Sequence, residues 1–494
     1  MSSAGHTATE AVALTGGVSR EYLLHHRVCP TAITAEGALV VAVAPDALVP
    51  EALDDLVLAY RRPILPETTP REEVERLIAR LTAGADSSLT VGRADVDDEA
   101  LVADVRDVAN SAPVAAYVNF LVGEAVRAGA SDIHLEAARV GLTVRFRLDG
   151  ILSPAPPAPS GLETAILSRL KLMADLDIAE RRRPQDGRIR VRLSDRELDV
   201  RVSTVPTLHG ESVVLRVLDR GGRPVGLDTL GMPAAILDQI KGLAKKPHGM
   251  VLVTGPTGSG KTTTLYAALR LREADAEKII TIEDPIEYQL PGITQVPVHA
   301  QAGVTFAAAL RSILRQDPDV IMVGEMRDSE TASLAVQAAM TGHLVFSTLH
   351  TNDALGAIPR LIDLGVPAYL VAATVDAVMA QRLVRSICRD CIAPVDRLTY
   401  AQREEIPALV RRAPLLHGTG CASCRYTGYV GRIGIFEIVV ISDAMQDAIA
   451  RGATRAEVRD LAARNGWHPM WHDAWEKVTA GQTTIEEVLR VVAA

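Results

Sequence analysis

Aromatic residues make up only 3% of this 494-residue chain. A basic stripe interleaved with aromatics, the mark of a nucleic-acid surface, is absent. Basic residues are also outnumbered: the net charge is 52 − 61 = −9, which argues against binding DNA over a broad surface. There is no run of about 18 uncharged apolar residues, so no membrane span is expected. Residues 1–16 have no basic segment and no long apolar stretch, so no secretory signal is expected either. These absences point to the cytoplasm. Cysteine is sparse, with five residues, and cytosolic disulfides are disfavoured. The apolar fraction of 48% is ordinary for a soluble globular protein, and the length suits about three domains.

What is present is concentrated. Gly255-Pro256-Thr257-Gly258-Ser259-Gly260-Lys261-Thr262 matches the phosphate-loop pattern G-x-x-x-x-G-K-[ST] at every fixed position, with Thr263 following. The apolar run from Met250 to Val253 reads as a strand before it, and Leu265, Leu269 and Leu271 read as a helix after it. In that context backbone N–H groups and a helix N-terminus surround phosphate oxygens. Lys261 is expected to reach the β- and γ-phosphates of ATP, and Thr262 to help hold Mg²⁺.

Four cysteines form two CxxC pairs, Cys388 with Cys391 and Cys421 with Cys424. Two such pairs in a cytosolic chain point to tetrahedral Zn²⁺. The 29 residues between them exceed the common spacing of about 15–20, but loop-closure cost grows slowly with length. Four thiolates leave no open position, so the zinc is expected to be structural. Cys29, between Val28 and Pro30, reads as a buried apolar residue.

Two further stretches carry acids at strand ends. Thr281 to Glu287 contains Glu283, Asp284 and Glu287. Asp317 to Glu325 is an apolar strand ending in an acid, the Walker B form, with Glu325 in a magnesium or water-positioning role. His343 precedes the strand read over 344–348, and His350 follows it. Either histidine is a candidate γ-phosphate sensor or a bridge to a neighbouring subunit.

The patterning suggests five segments. Residues 1–100 read as a small α+β unit and linker, with a strand over 38–44, helices over 52–59 and 72–81, and an acidic linker over 84–99. Residues 101–225 read as a second unit, with a helix over 114–127, strands over 144–148, 198–202 and 213–218, and turns at Asp149-Gly150 and Asp186-Gly187. Residues 226–385 alternate strands (251–254, 279–283, 320–323, 344–348) with helices, which argues a parallel sheet with its ligand at the strands' carboxyl ends. Residues 386–430 hold the cysteines, and 431–494 read as helical, with helix starts at Thr454 and Thr483-Thr484.

Taken together these motifs resemble the secretion ATPases of the type II secretion and type IV pilus group. The resemblance covers about residues 110–440. It rests on the phosphate loop, the Asp box 281–287, the Walker B strand with Gly324-Glu325-Met326-Arg327-Asp328, the His box 341–350, the run Arg183-Pro184-Gln185-Asp186-Gly187-Arg188 and the segment Ala130-Ser131-Asp132-Ile133-His134. The tetracysteine segment resembles the assembly and secretion members, and the short N-terminal region suits the type II secretion ATPase. The resemblance implies an α/β fold: a RecA-like ATPase domain after a PAS-like domain, a small N-terminal domain and a zinc insert. It implies a homo-hexamer with ATP held between lobes or neighbours, Glu287 as the base that positions water, Glu325 as the Walker B acid, and Glu283 and Asp284 supporting Mg²⁺. Arg188, Arg201, Arg311 and Arg315 become candidate γ-phosphate or cross-subunit contacts. The implied activity is ATP hydrolysis that powers pseudopilus assembly and protein export, on the cytoplasmic face of the inner membrane, with membrane-linked platform proteins docked by the N-terminal domain. Alternatives are a pilus-assembly or competence ATPase, a nucleotide-gated adaptor with little turnover, and a DNA-translocating motor, which the charge and aromatic content disfavour.

Overall fold

The computed structural model describes residues 8–11, 20–34, 37–45, 47, 52–53, 56–57, 60, 62–82, 90–91, 109–193, 196–219, 225–395, 406–407, 410 and 413–492. The chain divides into two compact units, residues 1–221 and 222–494.

The first unit contains two sheets. A four-stranded sheet runs in the order Ala8–Ala11, Val28–Thr34, Leu39–Val43, Ile64–Thr68. Its core gathers Leu23, Val28, Leu39, Val41, Leu56, Val74 and Ile78, the last two from the helix Arg71–Thr82. Cys29 is buried in this core, as its apolar neighbours suggest, and burial pushes its thiol up to about 12. The second sheet has seven antiparallel strands in the order Thr90–Val91, Gln185–Leu193, Arg196–Thr207, Gly210–Asp219, Asp132–Ala137, Leu142–Leu148, Ile151–Pro154. Alternate residues such as Ile133, Leu135, Val200, Val202, Val213 and Leu215 pack with the helices Ala112–Arg127 and Glu163–Met173. Asp149 and Gly150 both take positive φ, the two-residue turn that joins strands with the native twist.

Two expectations for this unit need correction. Asp186-Gly187 is not a turn. Both residues lie inside the strand Gln185–Leu193, with Gly187 opposite Val202. The glycine serves close approach instead, since a Cβ there would lie 2.4 Å from the Ala174 carbonyl. Within the linker read over 84–99, Thr90 and Val91 form a strand against Arg192 and Val191. The rest of that stretch lies outside the described residues.

The second unit is built on a seven-stranded sheet in the order Thr294–Pro297, Ile279–Glu283, Val320–Val323, Leu344–Leu349, Gly249–Thr254, Val375–Ile387, Tyr429–Val440. All neighbours are parallel except the last pair. The four strands read from sequence form its centre and are buried along their length, as continuous apolar runs covered on both faces must be. Val375–Ile387 and Tyr429–Val440 extend the sheet through residues 385 and 430, where segment boundaries were read. The cysteine segment is thus an excursion between two paired strands, leaving after Ile387 and returning opposite it at Tyr429. Four helices follow: Asp443–Ala450, Arg455–Arg464, Met470–Thr479 and Ile485–Val492. Thr454 caps the second and Thr484 the fourth, by accepting from the N–H groups of Glu457 and Glu487 at 3.3 Å each. In the third, Trp475 is buried and Trp471 is 47% exposed. No described helix is long and apolar enough to cross a membrane.

Candidate active site

Gly249–Thr254 runs straight into the phosphate loop, and Lys261–Leu269 continues as a helix. Pro256, Thr257 and Gly258 are exposed, and Lys261, Thr262 and Thr263 are half-buried in the first helical turn. Gly255 and Gly260 have φ of 147° and 87°. A Cβ on either would meet Gln381, at 2.4 Å from its carbonyl for Gly255 and 2.8 Å from its Nε2 for Gly260. The buried Gln381 also accepts a hydrogen bond from Thr264 at 2.7 Å. The loop therefore lies directly on the strand Val375–Ile387, which sequence reading passed over. A polar residue inside that apolar run was the available signal.

Lys261 donates to the carbonyls of Gly255 and Pro256 at 2.7 and 3.1 Å. Burial lowers its pKa to about 8, against the pull of Glu325 and with added repulsion from Arg382. Glu325 ends the strand Val320–Val323 on the same side and pairs with Arg327 at 2.8 Å. His350 Nε2 lies 3.5 Å from its other oxygen. Burial and Lys261 lower the His350 pKa, so the neutral ring is favoured. Thr348 Oγ1 donates to the Gly324 carbonyl at 2.7 Å, and the Met326 N–H donates to Thr348 at 3.1 Å, which fixes this strand end beside the His box. Lys261, Glu325 and His350 thus converge at the carboxyl edge of the sheet, where open α/β sheets bind ligands.

His343 does not join them. It sits at the amino end of Leu344–Leu349, where its carbonyl accepts from Gly249 N–H and its ring meets the Ala338 carbonyl at 2.9 Å. A six-residue strand puts about 20 Å between the two ends. As a contact of this chain's own phosphate loop, His343 is corrected by chain direction alone.

Among the Asp-box acids, Asp284 is exposed and lines a cavity of about 330 Å³ together with Thr305, Phe306, Arg327 and Asp328. Glu287 is half-buried. Glu283 is buried, and its oxygens accept from Tyr266, from Thr281 at 2.6 Å and from Gln295 at 3.0 Å. Arg311 pairs with Glu330, and Arg315 donates to the Arg311 carbonyl at 2.7 Å. Arg188 and Arg201 face each other on adjacent strands of the first unit.

The four cysteine sulfurs lie within 4.8 Å of one another. Three of the separations are 3.8, 3.8 and 3.7 Å. A tetrahedron with metal–sulfur bonds of about 2.3 Å has edges of about 3.8 Å, so the donor set fits Zn²⁺. Backbone N–H groups of Gly420, Cys421 and Gly428 point at sulfur, 3.1 to 3.3 Å away. Burial opposes the Cys424 thiolate, but the N–H groups of Cys421 and Gly428 outweigh it and bring the thiol down to about 6.

The family model described as Type II/IV secretion system protein matches residues 107–490. "Type II secretion system protein E" of Xanthomonas campestris pv. campestris is 45% identical over 497 residues, spanning 99% of this chain and 87% of that protein. "Type II secretion system ATPase E" of Vibrio cholerae is 46% identical over 393 residues, 78% of this chain and 77% of that one. The crystal structure of the pilus retraction motor PilT with bound ADP aligns with a TM-score of 0.51 at 26% identity, covering 76% of this chain and 96% of its own. The ATPase DotB of Legionella pneumophila aligns at 0.57 and 22% identity, covering 80% and 98%, a likeness of fold.

Proposed function

Because the chain belongs to the Type II/IV secretion system protein family, we propose that it is the ATPase that powers export through a type II secretion system, working as a hexamer on the cytoplasmic face of the inner membrane. The observation that carries the reading is the convergence of the phosphate loop, Lys261, Glu325 and His350 at one sheet edge. The phosphate loop holds the β- and γ-phosphates of ATP, with Thr262 holding Mg²⁺, which supplies charge neutralisation when bound. Glu287 orients the attacking water, and Glu325, held by Arg327 and next to His350, is the Walker B acid. Arg188, Arg201, Arg311 and Arg315 are candidate γ-phosphate or cross-subunit contacts, because a planar guanidinium suits the charge of the transferring phosphoryl group. The N-terminal segment docks a membrane-linked platform protein. The tetracysteine cluster holds a structural Zn²⁺ that stiffens the second unit.

The test is steady-state ATP hydrolysis by the purified protein, alone and fused to a hexamer-forming scaffold. Turnover is expected to rise on forced hexamerisation and to vanish in Glu325→Gln and Lys261→Ala while both variants stay folded. Turnover that persists at the wild-type level in those variants sinks the reading. Tight nucleotide binding with no turnover in either form moves the assignment to a nucleotide-gated switch.

A further inference from the structure

Tyr266 stands on the phosphate-loop helix, fully buried, with its hydroxyl turned into the Asp box. That hydroxyl donates to Glu283, four residues before Glu287. Gln295, on the neighbouring strand Thr294–Pro297, closes the arrangement. Its Nε2 lies 3.0 Å from Glu283, 3.1 Å from the Tyr288 carbonyl and 3.3 Å from the Tyr266 hydroxyl, and its Oε1 accepts the Leu290 N–H at 2.7 Å. The Tyr288 ring packs edge-on against the Tyr266 ring, 4.7 Å between centroids. Residues 288 and 290, just after Glu287, are thereby each tied by main chain or ring to one buried cluster.

Glu283 belongs to that cluster and not to the metal. Its two oxygens take three protein donors, and it is 2% exposed. Turning it toward a magnesium ion would strip Tyr266 and Thr281 of their acceptor inside the core and Gln295 of one of its own.

We propose that Tyr266 is a positioning residue for hydrolysis: it couples the phosphate-loop helix to the Asp box on both sides of Glu287, through its hydroxyl on Glu283 and its ring on Tyr288, with Gln295 holding that hydroxyl in place. The proposal rests on the reading of Glu287 as the group that orients water. Tyr266 is fully buried and acts through the Asp-box segment. It fixes the distance between the loop that holds the phosphates and the residue that aims the nucleophile, and small misplacements of such a group are costly to rate.

The experiment is a set of kinetic comparisons in the full-length, hexamer-fused enzyme. Tyr266→Phe keeps the ring and its contact with Tyr288 and removes only the hydroxyl. It is expected to lower kcat about tenfold or more, with KM for ATP and the Kd for a fluorescent ADP analogue within about twofold of wild type. Combined with Glu287→Gln it is expected to add no further loss, because both act through one group. Gln295→Met, which loosens the cluster from the strand side, is expected to lower kcat in the same direction and serves if Tyr266→Phe does not fold. An unchanged kcat in Tyr266→Phe overturns the proposal. A loss that multiplies fully with that of Glu287→Gln, or a parallel rise in KM and Kd, does so too. If Glu287→Gln alone leaves turnover intact, the base assignment has failed, which is a separate result.

Discussion

Glu487 shows how one buried carboxylate can be made safe. Its side chain is 1% exposed, and it receives Arg385 N–H at 2.9 Å, Arg385 Nη2 at 2.8 Å, and Arg490 Nε and Nη2 at 3.0 and 2.7 Å. Burial alone would raise its pKa, but the hydrogen bonds from Arg490 and Arg385 win and hold it to about 2. A depressed folded pKa contributes stability that is complete above the unfolded value of about 4.3 and is lost as pH falls toward 2. Glu487→Gln should therefore lose about 2 kcal/mol at neutral pH, allowing for the solvent-exposed Arg490. Its urea midpoint should also change less than the wild-type midpoint between about pH 4.5 and 2.5. Parallel pH curves for the two proteins would contradict this. Tyr429, whose ring lies 3.9 Å under the Arg385 guanidinium, completes the cluster where the last helix meets the sheet.

Glu437 does at the scale of elements what Glu487 does at one residue. It sits in the strand Tyr429–Val440 and is buried. One oxygen accepts the Ala354 N–H at 2.7 Å and the other the Met470 N–H at 2.8 Å, so a core strand joins the segment after the His box to the helix Met470–Thr479. Glu437→Gln keeps one acceptor and loses the other. It should destabilise by about 1–3 kcal/mol and speed amide exchange at Met470 or Ala354, read by hydrogen exchange; unchanged protection at both amides would refute the link. The same strand shows why sequence reading stopped short. The four central strands were legible because each is an apolar run of parallel-sheet length. Val375–Ile387 carries Gln381 and Arg382 in its middle, and the partner that makes Gln381 welcome there, Thr264, lies 117 residues away in the chain. Glu437 hides the last strand in the same way. The phosphate loop, the Walker B acid and the cysteine pairs were legible because their function fixes their spacing. The roles of Tyr266 and Gln295 were not, because they arise only from contacts between elements. His343 and His350 flank one strand, and in a parallel sheet only the carboxyl-terminal one can share the edge with the phosphate loop.

At the scale of the whole molecule, the cysteine excursion is part of the core of the second unit. Ile406, Val410 and Leu415 pack in the same cluster as Met445, Trp475 and Val488 from the C-terminal helices. Freshly purified, unchelated protein should carry about one equivalent of zinc, and chelation should lower its thermal midpoint because the folded state binds the metal preferentially. Less than about half an equivalent by metal analysis would refute the site. The scarcity of aromatic residues has an optical consequence. The chain has three tryptophans, Trp467, Trp471 and Trp475, all on or just before the helix whose first N–H is held by Glu437. All indole emission therefore originates on or just before that helix, and under selective tryptophan excitation the first unit and the phosphate loop are dark. The protein carries its own site-selective fluorophore for whatever nucleotide does to the C-terminal helices, and no label has to be introduced to see it.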